Sequence, residues 1–235
     1  MLANKLALSL PTINNVGAVT PPTPWDPSDE SGLIAWYKNK VGVIHNGGEV
    51  AEWNDSSGNG HLMVSSGDAN ESPTYDSVSG ELYFIASRSQ HLQLEAGNQI
   101  ELPDTYTIGF KLNAQGTNNT ILGDNTSSNE YFKIVAIDQI RIKTSADTAT
   151  ITTDGDPIEE INIVLTRDTN GVVTMYLNSD PQSQQVSVSG STLIDAIGIR
   201  ATNLNSFEGG ISEIQIYDES NQTLTSKVNT YLLNI

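Results

Sequence analysis

The stretch from Glu160 to Asn178, EINIVLTRDTNGVVTMYLN, decides the fold more clearly than any other part of the chain. Apolar residues recur at every second position from Ile161 to Leu165, and again from Val173 to Leu177. A period of two with β-branched residues is typical of a strand, and the Asn-Gly pair between the runs supplies the positive φ values of a tight turn. The stretch therefore predicts a β-hairpin whose apolar face needs a second layer over it.

Short apolar runs of the same kind recur along the chain and are separated by Gly, Asn, Asp and Ser. This spacing predicts an all-β sandwich or jelly roll. The pattern differs only in residues 222–235, where the apolar residues have helical spacing. This segment is predicted to form a short closing helix capped near Thr223 or Thr225. Besides the hairpin, the predicted strands are 32–39, 49–55, 61–65, 81–86, 91–95, 105–112, 120–123, 130–136, 139–144, 149–152, 185–188, 194–200 and 210–218.

The composition limits the classes of partner. The chain has 235 residues, with 28 acidic residues against 11 basic ones and a formal net charge of −17. This charge repels phosphate backbones and anionic membranes, so neither nucleic acid nor membrane is an expected partner. We interpret the scattered acidic residues as a solvated surface, with cation binding or a salty medium as the alternatives. Cysteine is absent from the sequence, which excludes disulfides and thiolate metal sites.

The first 27 residues differ from the rest of the chain. Residues 1–20 predict an apolar arm, too short in its apolar run for a secretory signal, so we expect a cytoplasmic product made without an export signal. Residues 21–27, PPTPWDP, contain four prolines and predict a stiff spacer, the alternative being an ordinary strand lying across the domain. The predicted organisation is an arm at 1–20, a linker at 21–27 and a domain at 28–235. The residues expected to anchor the arm on a partner are Leu2, Leu6, Leu8, Leu10 and Ile13.

Five segments, in this order, carry a family resemblance: SGLIAWYK from Ser31, the pattern Trp53-x-Asp55-x-Ser57-Gly58-x-Gly60, YTIGFKL, INIVLTRDTNGVVTMYLN, and FEGGISEIQIYDESNQTLTSKVNTYL from Phe207. Together they resemble the laminin-G-like, concanavalin-A-like jelly-roll family over residues 26–235. The resemblance implies two antiparallel sheets packed face to face. Separately, the opening MLANKLALSLP resembles the openings of some structural proteins of marine bacteriophages.

Oxygen-rich loops raise the question of a metal. We interpret Trp53 as a core aromatic and Asp55 as a side chain bonded to the backbone of its Gly-rich turn. The alternative is that Asp55 helps to hold Ca²⁺, which many members of the family bind and which prefers several oxygen ligands. The loop with Asp154 and Asp156 is a second calcium candidate. A loop that includes Asp124, Asn125, Asn129 and Glu130 is a third.

Catalysis has weak support in the sequence. Several concanavalin-A-like proteins cleave polysaccharides with two carboxylates that alternate along one strand face. Here Glu159 and Glu160 are adjacent and point to opposite faces, while Glu213 has no acidic residue two positions away. The histidines are isolated, and neither a nucleophile motif nor a zinc spacing exists. We therefore predict that the protein is not an enzyme.

Carbohydrate binding without catalysis is the remaining hypothesis for the domain. Sugar sites combine exposed aromatic rings with amides and carboxylates, and the loops of this sequence contain all three. The candidate platforms are Trp25, Tyr75 and Tyr131, whereas Trp36 is interpreted as core. Our leading hypothesis is a bacteriophage virion protein, displayed on the capsid or in a tail fibre through its arm, with an outward jelly roll that binds host surface glycans. A free extracellular bacterial lectin or carbohydrate-binding module is the alternative, and a glycosidase is the third. Oligomeric state is left open.

Overall fold

The computed structural model describes residues 24–95, 98–126, 130–201 and 204–235. The predicted arm at 1–20, with its anchoring leucines and Ile13, lies outside the described residues, as does Asn129. Within them the chain is almost entirely β-structure, with single 3-10 turns at Pro27–Asp29 and Ala86–Arg88 and one helix, α1, at Gln222–Leu233. Strands are numbered β1 to β20 in chain order.

Sheet I contains the longest strands. Its order is β1-β20-β9-β14-β15, every neighbouring pair is antiparallel, and two short strands, β16 and β17, pair with β15. The bounds are β1 Leu33–Tyr37, β9 Tyr106–Ala114, β14 Glu159–Arg167, β15 Val172–Leu177, β16 Asp180–Pro181, β17 Val186–Ser187 and β20 Gly209–Tyr217.

Sheet II has the order β2-β3-β4-β7-β19-β10-β11-β12-β13, again antiparallel throughout. The bounds are β2 Val43–Asn46, β3 Glu49–Trp53, β4 Met63–Val64, β7 Leu92–Leu94, β10 Asn119–Gly123, β11 Tyr131–Ala136, β12 Gln139–Lys143, β13 Thr148–Thr152 and β19 Ala196–Ile197. At one side β5 (Thr74–Tyr75) and β6 (Leu82–Phe84) connect β3 to β20. A separate pair joins β8 (Ile100–Leu102) and β18 (Thr192–Ile194).

The two sheets enclose the main core, which confirms the predicted all-β sandwich. Alternate residues of both sheets point inward and are buried, among them Trp53, Phe110 and Phe132. Trp53 is 0% exposed, and its ring lies 5.5 Å from that of Tyr37, as the interpretation of Trp53 as a core aromatic requires. Large aromatic rings bury the most apolar surface per residue, so they account for much of the stabilisation of this layer.

The predicted hairpin is confirmed as β14 and β15, with Ile163 opposite Leu177 in the core. Its turn differs in one respect from the prediction. Gly171 has a positive φ of 77°, but Asn170 does not take a positive φ. Instead the Asp168 carboxylate accepts hydrogen bonds from the N–H groups of Asn170 and Val172, each at 2.9 Å. An Asp side chain therefore holds the turn, in which only Gly171 of the expected Asn-Gly pair takes a positive φ.

Helix α1 covers the outer face of sheet I and forms a second, smaller core. Val164 of β14, which faces away from the sandwich, packs in this cluster with Leu224, Val228 and Leu232 of α1. A Cβ atom at Gly109 of β9 would lie 2.7 Å from Val228 Cγ1, so the glycine lets the helix approach the sheet closely. Both faces of sheet I are thus covered.

The position of the helix cap was predicted wrongly. The helix begins at Gln222, and its N-cap is Asn221, whose side-chain oxygen accepts from the Leu224 N–H at 2.9 Å. Thr225 instead donates its hydroxyl to the Asn221 carbonyl at 2.9 Å, inside the first turn. Asn is as good a cap as Thr, and here its position just before the apolar spacing makes it the cap.

Most predicted strands match observed ones to within a few residues, but five observed strands were not predicted. They are β2, β5, β8, β16 and β18. Each has two to four residues, and β2 is largely exposed. Such short segments do not show enough alternation to be recognised, because their pairing depends on long-range neighbours.

Candidate functional site

Asp55 and the turn that follows it protect the edge of β1. The Asp55 carboxylate accepts from the N–H groups of Trp36 at 2.9 Å, Ser57 at 2.8 Å and His61 at 3.1 Å. The Asn59 amide donates to the carbonyl of Leu33 at 2.9 Å. Because the turn satisfies the free edge of a strand that pairs only with β20, the bonding expected between Asp55 and its own turn is confirmed and extended.

The other proposed calcium ligands, Asp154 and Asp156, lie in the loop between β13 and β14. The Asp154 carboxylate accepts hydrogen bonds from the Ser183 N–H at 2.7 Å and from the Ser183 hydroxyl at 2.8 Å. The Asp156 carboxylate accepts from the Ile158 N–H at 3.0 Å. In the part of the chain that the structure describes, no group of three or more His, Cys, Asp or Glu side chains is placed to hold a metal ion. A calcium site at Asp55, Asp154 or Asp156 stays a prediction.

The three proposed sugar platforms have separate surroundings. Trp25 packs edge-on against Tyr231 of α1 with ring centroids 6.0 Å apart, and Tyr75 lies 5.1 Å from the His45 ring. Tyr131 is only 7% exposed, and the Arg200 guanidinium lies 4.6 Å from its ring centroid. The structure therefore does not bring them together in one sugar site.

Trp25 does line a groove of about 900 Å³ beside α1, together with Tyr231 and Lys227. Lys227 is already bonded to Glu30 at 2.5 Å, and Trp25 donates its indole N–H to the same carboxylate at 2.8 Å. Pro24, the first described residue, also lines the groove. Residues 24–26, predicted as part of a linker, thus lie against the domain.

Glu213, the proposed glycosidase carboxylate, lies between sheet I and α1 and is 0% exposed. It accepts from the Trp36 indole N–H, from the Asn39 N–H at 2.5 Å and from Gln215 at 3.0 Å. Burial raises the pKa of Glu213 to about 7, although these donors and Lys38 act in the opposite direction. No substrate can reach this carboxylate, so its role is structural. Trp36, 3% exposed, is buried beside it as predicted.

The raised pKa of Glu213 predicts a pH-dependent free energy of unfolding. The contribution is fully present below the ordinary pKa of 4.5 and is lost as pH rises through about 7. We expect a loss of about 3 kcal/mol across this window. Urea unfolding followed between pH 4 and 8 measures it, and Glu213→Gln is expected to remove most of the slope between pH 4.5 and 7. The exposed Glu160→Gln is the control, and an unchanged slope in Glu213→Gln would contradict the assignment.

The outer face of sheet II carries an open cleft of about 530 Å³, lined by both apolar and polar groups and here called the β7 cleft. Its floor comes from β4 and β7, whose inward residues Met63, Leu92 and Leu94 are in the core while Val64 and Gln93 lie on the cleft side. The residues that line it are Val64, Ser65, Ser66, His91, Gln93, Leu94, Asn98, Gln99, Thr126 and Asp195.

A buried carboxylate pair supports one wall of the β7 cleft. Asp195 is 2% exposed and accepts from the Asn125 N–H at 2.7 Å, and Asp124 is 0% exposed. The Thr126 hydroxyl lies 2.5 Å from Asp195 Oδ2 and 3.2 Å from Asp124 Oδ1. Burial raises the pKa of Asp195, and the neighbouring Asp124 adds to this increase, while bonds from Asn125 and Thr126 oppose it. The pair thus fixes Thr126 at the cleft wall.

The chemistry of the β7 cleft is that of directional hydrogen bonding. Gln93, whose amide makes only long bonds of 3.4 Å to Asp195 and 3.5 Å to Asn125, presents both a donor and an acceptor. Asn98, Gln99 and the two serines add further groups of the same kind. Such groups recognise hydroxyl-rich ligands, since each hydroxyl both donates and accepts. The sequence had indicated Asp124 and Asn125 as oxygen donors, but Gln93 and Asp195 were missed because each lies within an apolar run.

Comparison with known proteins adds information about the fold. Neither a protein-family model nor a curated protein matches the chain. Among solved structures, domain 4 of the extracellular arabinanase AbnA from Geobacillus stearothermophilus, in complex with arabinotriose, is similar. It has 16% identity and a TM-score of 0.54, with 84% of this chain and 97% of that chain covered.

Two larger structures are also similar. The ligand-binding domain of botulinum neurotoxin serotype D, in complex with N-acetylneuraminic acid, has 10% identity and a TM-score of 0.59, covering 86% of this chain and 51% of that one. The Trypanosoma rangeli sialidase has 10% identity and a TM-score of 0.52, and the match covers 87% of this chain and 33% of the sialidase. The chain thus spans about half or less of these two.

Together, the sheet order and these similarities define the class of the protein by its fold. It is a concanavalin-A-like jelly-roll sandwich of two antiparallel sheets with a short C-terminal helix. Within the described residues, no helix has the length and apolar character to cross a membrane.

Proposed function

We propose that this protein binds carbohydrate in the β7 cleft. The observation that carries the proposal is the open, amide-rich cavity of about 530 Å³ on the outer face of sheet II. Gln93 lies in β7, which sets its position, and the other polar groups come from segments that adjoin the strands, among them Thr126 and Asp195, which are bonded to each other. A site held by strands is preorganised for a ligand and loses little entropy on binding.

Binding is favoured over catalysis by the burial of the carboxylates. Glycoside hydrolysis needs two carboxyl groups that reach the scissile bond from opposite sides. Asp124 and Asp195 are 0% and 2% exposed, and both contact the same Thr126 hydroxyl, so they act on the wall of the cleft and not on a substrate. Glu213 lies on the other sheet under α1. The proposed protein is a binding module.

The comparisons support a carbohydrate ligand at the level of the fold. Two of the similar structures hold a saccharide, arabinotriose in one case and N-acetylneuraminic acid in the other. With identities of 16% and 10%, they do not identify the sugar that this chain would take. The lining residues of this chain therefore carry the proposal.

A glycan array probed with the full-length protein, followed by calorimetry with the best ligand, tests the proposal. Gln93→Ala removes an amide from the cleft floor and is expected to weaken binding about tenfold, the value of one lost hydrogen bond. Gln222→Ala is the matched control, because Gln222 is exposed on α1 against the opposite sheet. If no glycan is retained, or if Gln93→Ala binds as tightly as the control, the proposal is wrong.

For the biological setting we propose display on a bacteriophage virion, in the capsid or a tail fibre, with residues 1–20 as the anchor. This proposal rests on the apolar arm followed by a proline-rich spacer, on a cysteine-free sequence in which we find no export signal, and on a fold typical of adhesive domains; a free extracellular lectin is the alternative. Co-sedimentation with phage shells, comparing the full-length protein with a version that starts at Thr23, tests it. Pelleting of the full-length form alone would support the anchor, and pelleting of neither form would favour the free lectin.

A further inference from the structure

A second feature of the outer face of sheet II is a set of basic side chains on β11 and β12. Lys133 of β11 pairs directly with Arg141 of β12, and Tyr131 pairs with Lys143. The residues between them, Phe132, Ile140 and Ile142, point into the core, so the basic residues point outward. We call Lys133, Arg141 and Lys143 the basic rows.

The basic rows are unusual in so acidic a protein. Only 11 of the 235 residues are basic, and three of these 11 lie on two neighbouring strands. None of the ion pairs found among the described residues involves them. Like charges directly opposite each other on a sheet destabilise it, so the fold gains nothing from placing Lys133 across from Arg141.

The unfavourable placement of like charges is clearest at Lys133. Lys133 is 5% exposed, and its Nζ donates to the side-chain oxygen of Asn205 at 2.8 Å. Burial, together with the positive charges of Arg200 and Arg141, lowers the pKa of Lys133 to about 8. Among the described residues, no acidic side chain forms an ion pair with Lys133. A nearby anion would therefore stabilise the charged form.

The neighbours of the basic rows are hydrogen-bond donors as well. Thr150 and Thr148 of β13 stand opposite Arg141 and Lys143, and the Arg141 Nε–H donates to the Thr150 hydroxyl at 3.0 Å. That hydroxyl is then free to donate its own proton outward. Asp147, in the turn between β12 and β13, is bonded to Ser189. The surface thus presents ammonium, guanidinium and hydroxyl donors on a flat, strand-supported area.

We infer that the basic rows bind the carboxylate groups of an acidic polysaccharide. The planar guanidinium of Arg141 matches a carboxylate, and Lys143 and the threonines can contact a second acidic group along the same chain. The net charge of −17 opposes every polyanion, so the polysaccharide is preferred to nucleic acid on a different ground, namely that the basic rows share the outer face of sheet II with the β7 cleft. The inference rests on the proposed function, since the β7 cleft and the basic rows lie on the same face and would contact one glycan chain.

The test compares two double variants of the full-length protein that change the charge equally. Arg141→Gln/Lys143→Gln removes two charges from the basic rows, and Lys40→Gln/Arg88→Gln removes two from exposed sites elsewhere. Binding to immobilised polygalacturonate is measured at increasing NaCl, with dextran, dextran sulfate and duplex DNA as the other probes. We expect the first variant to bind polygalacturonate at least about tenfold more weakly, and the control to bind like the wild type.

The outcomes separate the two proposals. Equal weakening of polygalacturonate binding in both variants would show a general charge effect and overturn the inference. Binding of dextran sulfate or DNA by a protein that does not bind polygalacturonate would also overturn it. If neutral glycans bind and are lost in Gln93→Ala while polygalacturonate is not bound, the inference fails and the proposed function stands. If no saccharide binds to any form of the protein, both fail.

Discussion

Gly209→Ala is expected to prevent the protein from folding. Gly209 opens β20, the strand that pairs with β1, β6 and β9, and it has a φ of 125°. A Cβ atom there would lie 2.1 Å from the Asn113 carbonyl oxygen and 3.1 Å from the Ala114 Cα. Both contacts are with backbone, which cannot move without breaking the β9–β20 ladder. We expect a loss of about 4 kcal/mol or more, of the order of the whole stability of many domains.

The adjacent glycine provides the matched control. At Gly210 a Cβ atom would meet the Glu81 carboxylate, its Cδ atom at 2.7 Å, and that side chain can rotate away. Gly210 is also outside the positive-φ region. Soluble yield and the urea midpoint of the two alanine variants measure the difference. A Gly209→Ala protein as stable as Gly210→Ala would contradict the backbone geometry at the start of β20.

Trp53→Ala is expected to have the second largest effect, a loss of about 3–5 kcal/mol. Trp53 is 0% exposed between the two sheets. Its ring packs on Tyr37, and its cross-strand partner is Met63 of β4. Removing the indole leaves a cavity that the surrounding strands cannot fill, because their positions are fixed by the ladders on both sides.

Trp25→Ala separates this core effect from the general loss of a tryptophan. Trp25 is partly exposed, and its indole makes an edge contact with Tyr231 and a bond to Glu30. We expect it to cost less than about 2 kcal/mol. Equilibrium unfolding in urea measures both variants. Equal midpoints would mean that the ring of Trp53 does not fill the core in the way described.

Local pattern predicted much of this fold from the sequence. The alternation in EINIVLTRDTNGVVTMYLN identified β14, β15 and the residues that enter the core, because side chains on a strand alternate between two faces whatever the partner strand is. The helix was predicted from its spacing in the same way. The cap was missed because Asn221 lies outside the apolar pattern and the neighbouring threonines were favoured instead.

The short strands were not recognisable in this way. β5 and β18 hold two and three residues, and they exist because β6 and β8 lie beside them. A pair of residues has no period, so only the tertiary structure determines that it is a strand. Asp55 lies between these cases: its bonds to Ser57 and His61 are local, whereas its bond to Trp36 spans 19 residues.

The sequence alone determined the class of fold and the absence of cysteine chemistry, since the first follows from a period of two and the second from composition. The tertiary structure decided the β7 cleft, where Val64, Gln93 and Asp195 meet from distant parts of the chain. It also decided that the basic rows have no ion pair among the described residues. The reason is physical: strand periodicity is a property of neighbouring residues, whereas a binding site depends on which strands pair, and that pairing is chosen by the packing of the whole core.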